Sequence, residues 1–219
     1  MAIFLIEDGE SRSFPDAQAL RSASVEHLAD AESVVVLGAN TADYATSLTQ
    51  WSDKAVVLLE LGTECLGVYT GEHAGKEGSN VLGFARFRLG HGEPSNLVEL
   101  VRQPGSSEAA IAAAKQIFES LNLKVAVCRD FSGRIIDRLV RPYFNAALRR
   151  LDEQLATADD MDTTLRLGLG YPEGPIALLE RTGLAEHFKV TRDLFDAYGE
   201  AAYAPARRAV VAAKREGIA

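Results

Sequence analysis

At 219 residues the chain can hold one sizeable domain or two small ones, and its 47% hydrophobic and 25% charged residues are those of a globular protein. The net charge of −8, with acids and bases interspersed, excludes the basic stripe of a nucleic-acid surface and the polybasic patch that holds an anionic membrane. Two cysteines, Cys65 and Cys128, form no CxxC pair, which argues against zinc or a disulfide framework and for two buried free thiols in a reducing cytoplasm.

The chain opens on an apolar run, residues 3–6, followed at once by Glu7 and Asp8 and lacking a basic leader. It reads as a strand and not as a signal peptide. Residues 16–31 read as a modest helix opened by Pro15. Residues 33–37 (SVVVL) and 55–59 (AVVLL) are continuous apolar runs bounded by turn residues, the pattern of buried parallel strands. Between them residues 41–51 read as a short helix capped by Thr41. Residues 62–78 hold five glycines and read mostly as loop. Residues 81–88 and 97–101 read as strands around a turn at 90–94. An Ala-rich amphipathic helix follows at 106–121, capped by Ser106 or Ser107, and then a last strand at 123–128. Alternating strand and helix signals predict an open α/β sheet with crossover helices over residues 1–130.

Beyond Asp130 the pattern is helical throughout: residues 132–155, 158–168, 175–182, 184–199 and 205–216, with a kink expected at Pro142. No apolar run approaches the roughly 20 residues of a spanning helix. The segment 167–184, LGLGYPEGPIALLERTGL, packs Gly and Pro into helical sequence at a cost to helix stability. It predicts a helix stop at 168–170, a turn at Tyr171-Pro172, and a restart with Pro175 at a first helical position.

Motifs for chemistry are sparse. A dinucleotide fingerprint needs GxGxxG after a strand, but Gly9 stands alone, and Gly38-Ala39-Asn40 lacks the second glycine. Gly71, Gly75 and Gly78 surround Lys76, yet Glu77 stands where a phosphate loop carries Ser or Thr, so this reads as a surface loop. Neither a GxSxG turn nor a metal-ligand spacing occurs. None of His27, His73, His91 and His187 lies in an HxxxH or HxxE arrangement, and each reads as a solvated or packed side chain. His91, two residues from Glu93, is the one placed to swing into a cleft. Arg149-Arg150 and Arg207-Arg208 read as solvated helix faces, whereas Arg86, Arg88, Arg134 and Arg138 are candidates to meet phosphates.

Residues 131–148, FSGRIIDRLVRPYFNAAL, followed by 167–184, closely resemble the helical C-terminal domain of the 3-hydroxyacyl-CoA dehydrogenases. The likeness weakens over 96–130 and is weakest before that. It implies a truncated, reduced Rossmann-like parallel sheet in residues 1–130 and a helical-bundle dehydrogenase C-terminal domain in 131–219. It also locates the family's working residues. The general-base histidine follows a strand that is here Val81-Leu82-Gly83-Phe84, and its position falls at Ala85. The glutamate that orients it falls at Val36. The Asn-Thr-Ser-Ser-Leu segment that contacts substrate reads Gly62-Thr63-Glu64-Cys65-Leu66, which places Glu64 there. The asparagine of Gly-Phe-Ile-x-Asn-Arg becomes Asp137 in Gly133-Arg134-Ile135-Ile136-Asp137-Arg138.

The family reaction is the NAD-dependent oxidation of a 3-hydroxyacyl-CoA to the 3-ketoacyl-CoA in β-oxidation of fatty or aromatic acids. With base, orienter, hydroxyl, amide and glycine fingerprint all replaced, the expectation for this chain is no catalytic residue, no NAD and no metal. Arg86, Arg134, Asp137 and Arg138 remain as substrate-cleft candidates. Some long family members resemble two dehydrogenase units in tandem, and this chain looks like the second. Its expected role is a dimerisation and acyl-CoA-enclosing module, pairing with its own copy or a complete unit through helices 175–182 and 205–216. The alternative is an active oxidoreductase with His91 as base.

Overall fold

A computed structural model of the chain describes residues 2–71 and 75–218. His73 and the middle of the glycine-rich loop lie outside the described residues. The chain divides into two compact units, residues 1–87 with 94–134, and residues 88–93 with 135–219.

The first unit is an α/β sheet. In chain order it contains β1 (Ile3–Glu7), α1 (Gln18–Ser22), β2 (Ser33–Leu37), β3 (Val56–Glu60), α2 (Gly67–Thr70), β4 (Val81–Arg86), β5 (Leu97–Arg102), α3 (Glu108–Ser120) and β6 (Lys124–Arg129). The six strands among the described residues lie side by side in sequence order. All neighbours pair parallel except β4 and β5, which are antiparallel. Residues 87–96 between them are too few for a crossover helix, so the chain must fold back. The continuous apolar runs of β2 and β3 are explained by burial on both faces. One face packs Val35, Leu37, Leu58 and Phe84 against Ile111, Ile117 and Phe118 of α3 and Phe14 and Leu20 of the β1–β2 connection. The other packs Val34, Val36, Val57 and Leu59 against Trp51 and Leu66. The β2–β3 connection thus covers the second face through Trp51, while the β1–β2 connection reaches both, with Phe14 and Leu20 on the first and Leu28 on the second. The β1–β2 connection is irregular, with one five-residue helix and a single 3-10 turn.

Local expectations fail where tertiary contacts compete with the helix. The helix expected over 16–31 stops at Ser22, because Ser24 bridges Ile3 and the Val25 N–H donates to the Ile3 carbonyl at the edge strand. Residues Thr41–Trp51 form a 3-10 helix, and Thr41 does not cap it. Its hydroxyl donates instead to the Gly38 carbonyl (2.8 Å) and the Glu60 carbonyl (3.1 Å). Neither serine caps α3: Ser107 makes no capping bond, and the Ser106 hydroxyl accepts from the Gln103 N–H.

The second unit contains α4 (Ile136–Asp152), α5 (Ala158–Leu169), α6 (Pro175–Thr182), α7 (Leu184–Tyr198) and α8 (Arg207–Arg215). α4 begins later than expected because Gly133 and Arg134 take positive φ values of 72° and 49°. Pro142 lies inside it. The Gly/Pro segment behaves as its sequence implies: α5 ends at Gly170 in the left-handed conformation, and Pro175 opens α6. Asp162 of α5 receives the first N–H groups of α6, from Ile176 at 2.9 Å and Ala177 at 2.8 Å. That approach requires glycine at 174, where a Cβ would lie 2.2 Å from the Asp162 Cβ. Gly174→Ala is expected to destabilise the helical unit by about 1–3 kcal/mol through overpacking. Urea titration followed by helical circular dichroism checks this, and wild-type stability would contradict it. No helix among the described residues is long and apolar enough to cross a membrane.

Candidate functional site

The register of β4 against β5 places Glu99 directly across from Ala85. Directly opposed residues of an antiparallel pair share a face, with Cβ atoms about 4.5–5.5 Å apart. The carboxylate that a base at position 85 could use is therefore Glu99. Val36, expected to hold that carboxylate's place, lies fully buried on β2, two strands away with β3 between. The sequence offered one signal for Glu99, an acid in the middle of the apolar run LVELV. Both Ala85 and Glu99 are buried, and the Glu99 carboxylate faces the buried guanidinium of Arg134, with Nε 3.4 Å from Oε2. Arg134 Nη2 also donates to the Gly62 carbonyl at 2.8 Å. Burial, with Glu99 near by, pushes the Cys128 thiol up to about 11, so this half-buried cysteine is a poor nucleophile at neutral pH.

The other cleft candidates are engaged within their own units. Arg86 donates to the Ser95 and Ser13 carbonyls and lies 5.0 Å from the centre of the Phe14 ring. Arg88 donates to the Gly92 carbonyl. Arg138 sits 4.8 Å over the Tyr198 ring. Glu64 accepts from the Gly62 N–H and the Tyr69 hydroxyl, each at 2.8 Å. Burial first, and then Glu64, pushes the Tyr69 phenol upward. His91 is exposed, and its backbone N–H donates to the Thr182 carbonyl at 2.9 Å. The neighbouring Gly90 is required there, because a Cβ would lie 1.8 Å from the Thr182 oxygen.

Asp137 is held inside the helical unit. Arg141 Nε donates to its Oδ1 at 2.6 Å, and Arg141 Nη1 reaches His187 Nδ1 at 3.0 Å. Arginine can only donate, so Nδ1 accepts and the ring proton sits on Nε2. Nε2 then donates to Asn145 Oδ1 at 3.0 Å, and Asn145 Nδ2 donates to the Ala202 carbonyl at 3.1 Å. Burial, and then the Arg141 charge, hold His187 well below its usual range, so it is neutral. This chain ties α4 and α7 to the segment before α8.

At the carboxyl ends of β1, β2 and β3 lies a cleft of about 220 Å³, lined by Gly38, Thr41, Glu60, Glu64, Tyr69 and Arg12 among others. Ligands of open α/β sheets bind outside these strand ends, at the point where strand order reverses. The sequential order seen here contains no reversal. No group of three or more potential metal ligands occurs among the described residues.

Known proteins match the chain in the same division. Residues 133–218 match the family model of the 3-hydroxyacyl-CoA dehydrogenase C-terminal domain. The mitochondrial hydroxyacyl-coenzyme A dehydrogenase of Sus scrofa is 36% identical over 88 residues, 40% of this chain and 28% of that protein. The 3-hydroxybutyryl-CoA dehydrogenase of Mycobacterium tuberculosis is 34% identical over 110 residues, 50% of this chain and 38% of that protein. The chain thus matches between 28% and 38% of the length of these relatives. In fold, it is similar to the crystal structure of 3-hydroxybutyryl-CoA dehydrogenase from Escherichia coli, with TM-score 0.73 and 22% identity, covering 88% of this chain and 42% of that one. The sheet and the helical unit therefore share the fold of the Rossmann-like and C-terminal parts of that architecture, and residues 133–218 are similar to the C-terminal domain of the 3-hydroxyacyl-CoA dehydrogenase family.

Proposed function

We propose that this chain is a non-catalytic member of that family. Its helical unit pairs with a second helical unit, from its own copy or a complete dehydrogenase, and helps to enclose acyl-CoA. The observation that carries this reading is Ala85 across from Glu99, with Glu99 ion-paired to Arg134. Oxidation of a hydroxyl needs a group within hydrogen-bond reach that takes its proton, and a methyl group takes none. The carboxylate that could orient such a group is already neutralised by a guanidinium. A sheet without a reversal in strand order, and a cleft whose charged lining is Glu10, Glu60 and Glu64 against the single Arg12, likewise support the absence of NAD binding.

The pairing role rests on surface chemistry. α6 buries Pro175, Ile176 and Leu179 inside its own unit, so it does not offer the apolar face expected of it. The exposed apolar groups of this unit include instead Leu139 of α4, Leu155 after it, Leu167 and Leu169 of α5, Tyr171 in the turn before α6, and Val211 of α8, with Leu167 80% exposed. A contiguous apolar patch of several hundred Å² marks a surface that a partner covers, and this reading takes these side chains as its members. Sedimentation at tens of micromolar is expected to show a dimer, as an interface of standard size persists there. A clean monomer, unchanged by an added complete dehydrogenase, would contradict pairing.

A further inference from the structure

The loops after β1 and β2 converge on one buried carboxylate. Glu60 ends β3 and is 4% exposed. Its Oε1 accepts from the backbone N–H of Ser13 at 2.7 Å, and its Oε2 from that of Gly38 at 2.8 Å. Neither donor is positioned by Glu60 alone. Gly38 has φ +112°, and a Cβ there would lie 2.0 Å from the Asp8 carbonyl oxygen, so only glycine lets the backbone pass and turn its N–H inward. The Thr41 hydroxyl braces the Gly38 carbonyl. Ser13 is fixed by Arg86, whose backbone N–H donates to the Ser13 hydroxyl and whose Nη1 donates to the Ser13 carbonyl. Gly38 and Glu60 both line the cleft at the strand ends.

Two preset backbone N–H groups converging beside a cleft, one of them on a left-handed glycine, form an oxyanion cradle. We propose that Glu60 is an internal anion that fills this cradle, and that the cradle beneath it is a latent site for a phosphate-class oxyanion. With Glu60 in place, an incoming phosphate finds both donors taken and a carboxylate facing it. The carboxylate thereby excludes phosphate-bearing ligands from the cleft. This inference concerns the sheet unit and stands or falls independently of the role proposed for the helical unit.

The test is chemical rescue in the whole chain. Glu60→Ala removes the internal anion and leaves both donors open. Its melting temperature is expected to rise by several degrees, saturably, with inorganic phosphate as well as with acetate, in excess of the same ionic strength of chloride. Wild type and Glu60→Gln, whose carboxamide still fills the space, are expected to show no such rise. Comparison of phosphate, ADP and adenosine separates oxyanion recognition from base recognition, with adenosine expected to be inert. If Glu60→Ala folds only when phosphate is present, the inference is supported, whereas rescue by acetate alone, which only replaces the lost carboxylate, overturns it. A folded Glu60→Ala that ignores both anions overturns it, as does a variant that neither anion refolds or a wild type that responds equally.

Discussion

Arg141→Met is expected to cost the helical unit about 3–5 kcal/mol, because it removes one partner of a buried ion pair. The guanidinium is 1% exposed and is the donor to both Asp137 and His187. Its loss leaves the Asp137 charge buried and His187 Nδ1 without its donor. The pair itself need not contribute net stability, since desolvating two charges offsets much of their attraction. Combining Arg141→Met with Asp137→Asn removes both charges and is therefore expected to recover much of the loss. A double-mutant cycle in urea, read by helical circular dichroism, gives the coupling directly. Strictly additive losses would contradict the buried chain.

The second large effect is on pH. His187 is fully buried and its proton affinity is held well below the usual 6.5 by burial and then by Arg141. Protonation at Nδ1 would set a second donor against the Arg141 guanidinium. The folded state thus binds fewer protons at this ring than the unfolded state. The stability tied to neutral His187 is complete above 6.5 and falls as the pH drops from there toward the lower folded value. The slope is about 1.4 kcal/mol per pH unit over that window. Acidic residues also titrate as pH falls, so the informative quantity is the difference between wild type and His187→Gln, which carries no proton to gain. The two stability curves are expected to converge as pH falls below 6.5. Curves that stay parallel would remove His187 from the acid response.

What was legible in the sequence, and what was not, follows the range of the interactions. The runs SVVVL and VVLLE reveal doubly covered strands, since burial on both faces leaves no room for alternation. The Gly170, Gly174 and Pro175 punctuation reveals the α5–α6 corner because each acts through its own backbone. Contacts between distant segments were not legible. The bond from Val25 to Ile3 ended a helix that local propensity favoured. The Thr41 hydroxyl turned to the ends of β2 and β3. At the candidate site the family likeness pointed to position 85 for the base and to Val36 for its carboxylate. Only strand register, fixed by pairing between β4 and β5, brings Glu99 to that place. Arg134 was visible as a departure from Gly-Phe-Ile, yet its partner could not be read from sequence, because Glu99 lies on another strand.

If the chain lacks the catalytic chemistry of the dehydrogenases it resembles, it forms no NADH from 3-hydroxybutyryl-CoA and NAD. Wild type, Ala85→His, and Ala85→His with Arg134→Phe are compared. The double variant places a histidine at position 85 and frees Glu99, directly across from it, of its guanidinium. General-base catalysis contributes typically about 10²–10⁴-fold, and only between reactants that are already positioned. Without a bound nicotinamide that positioning is missing, so no rate above the enzyme-free control is expected for any of the three. Turnover by the wild type that His91→Ala abolishes would contradict the account and place the base at His91.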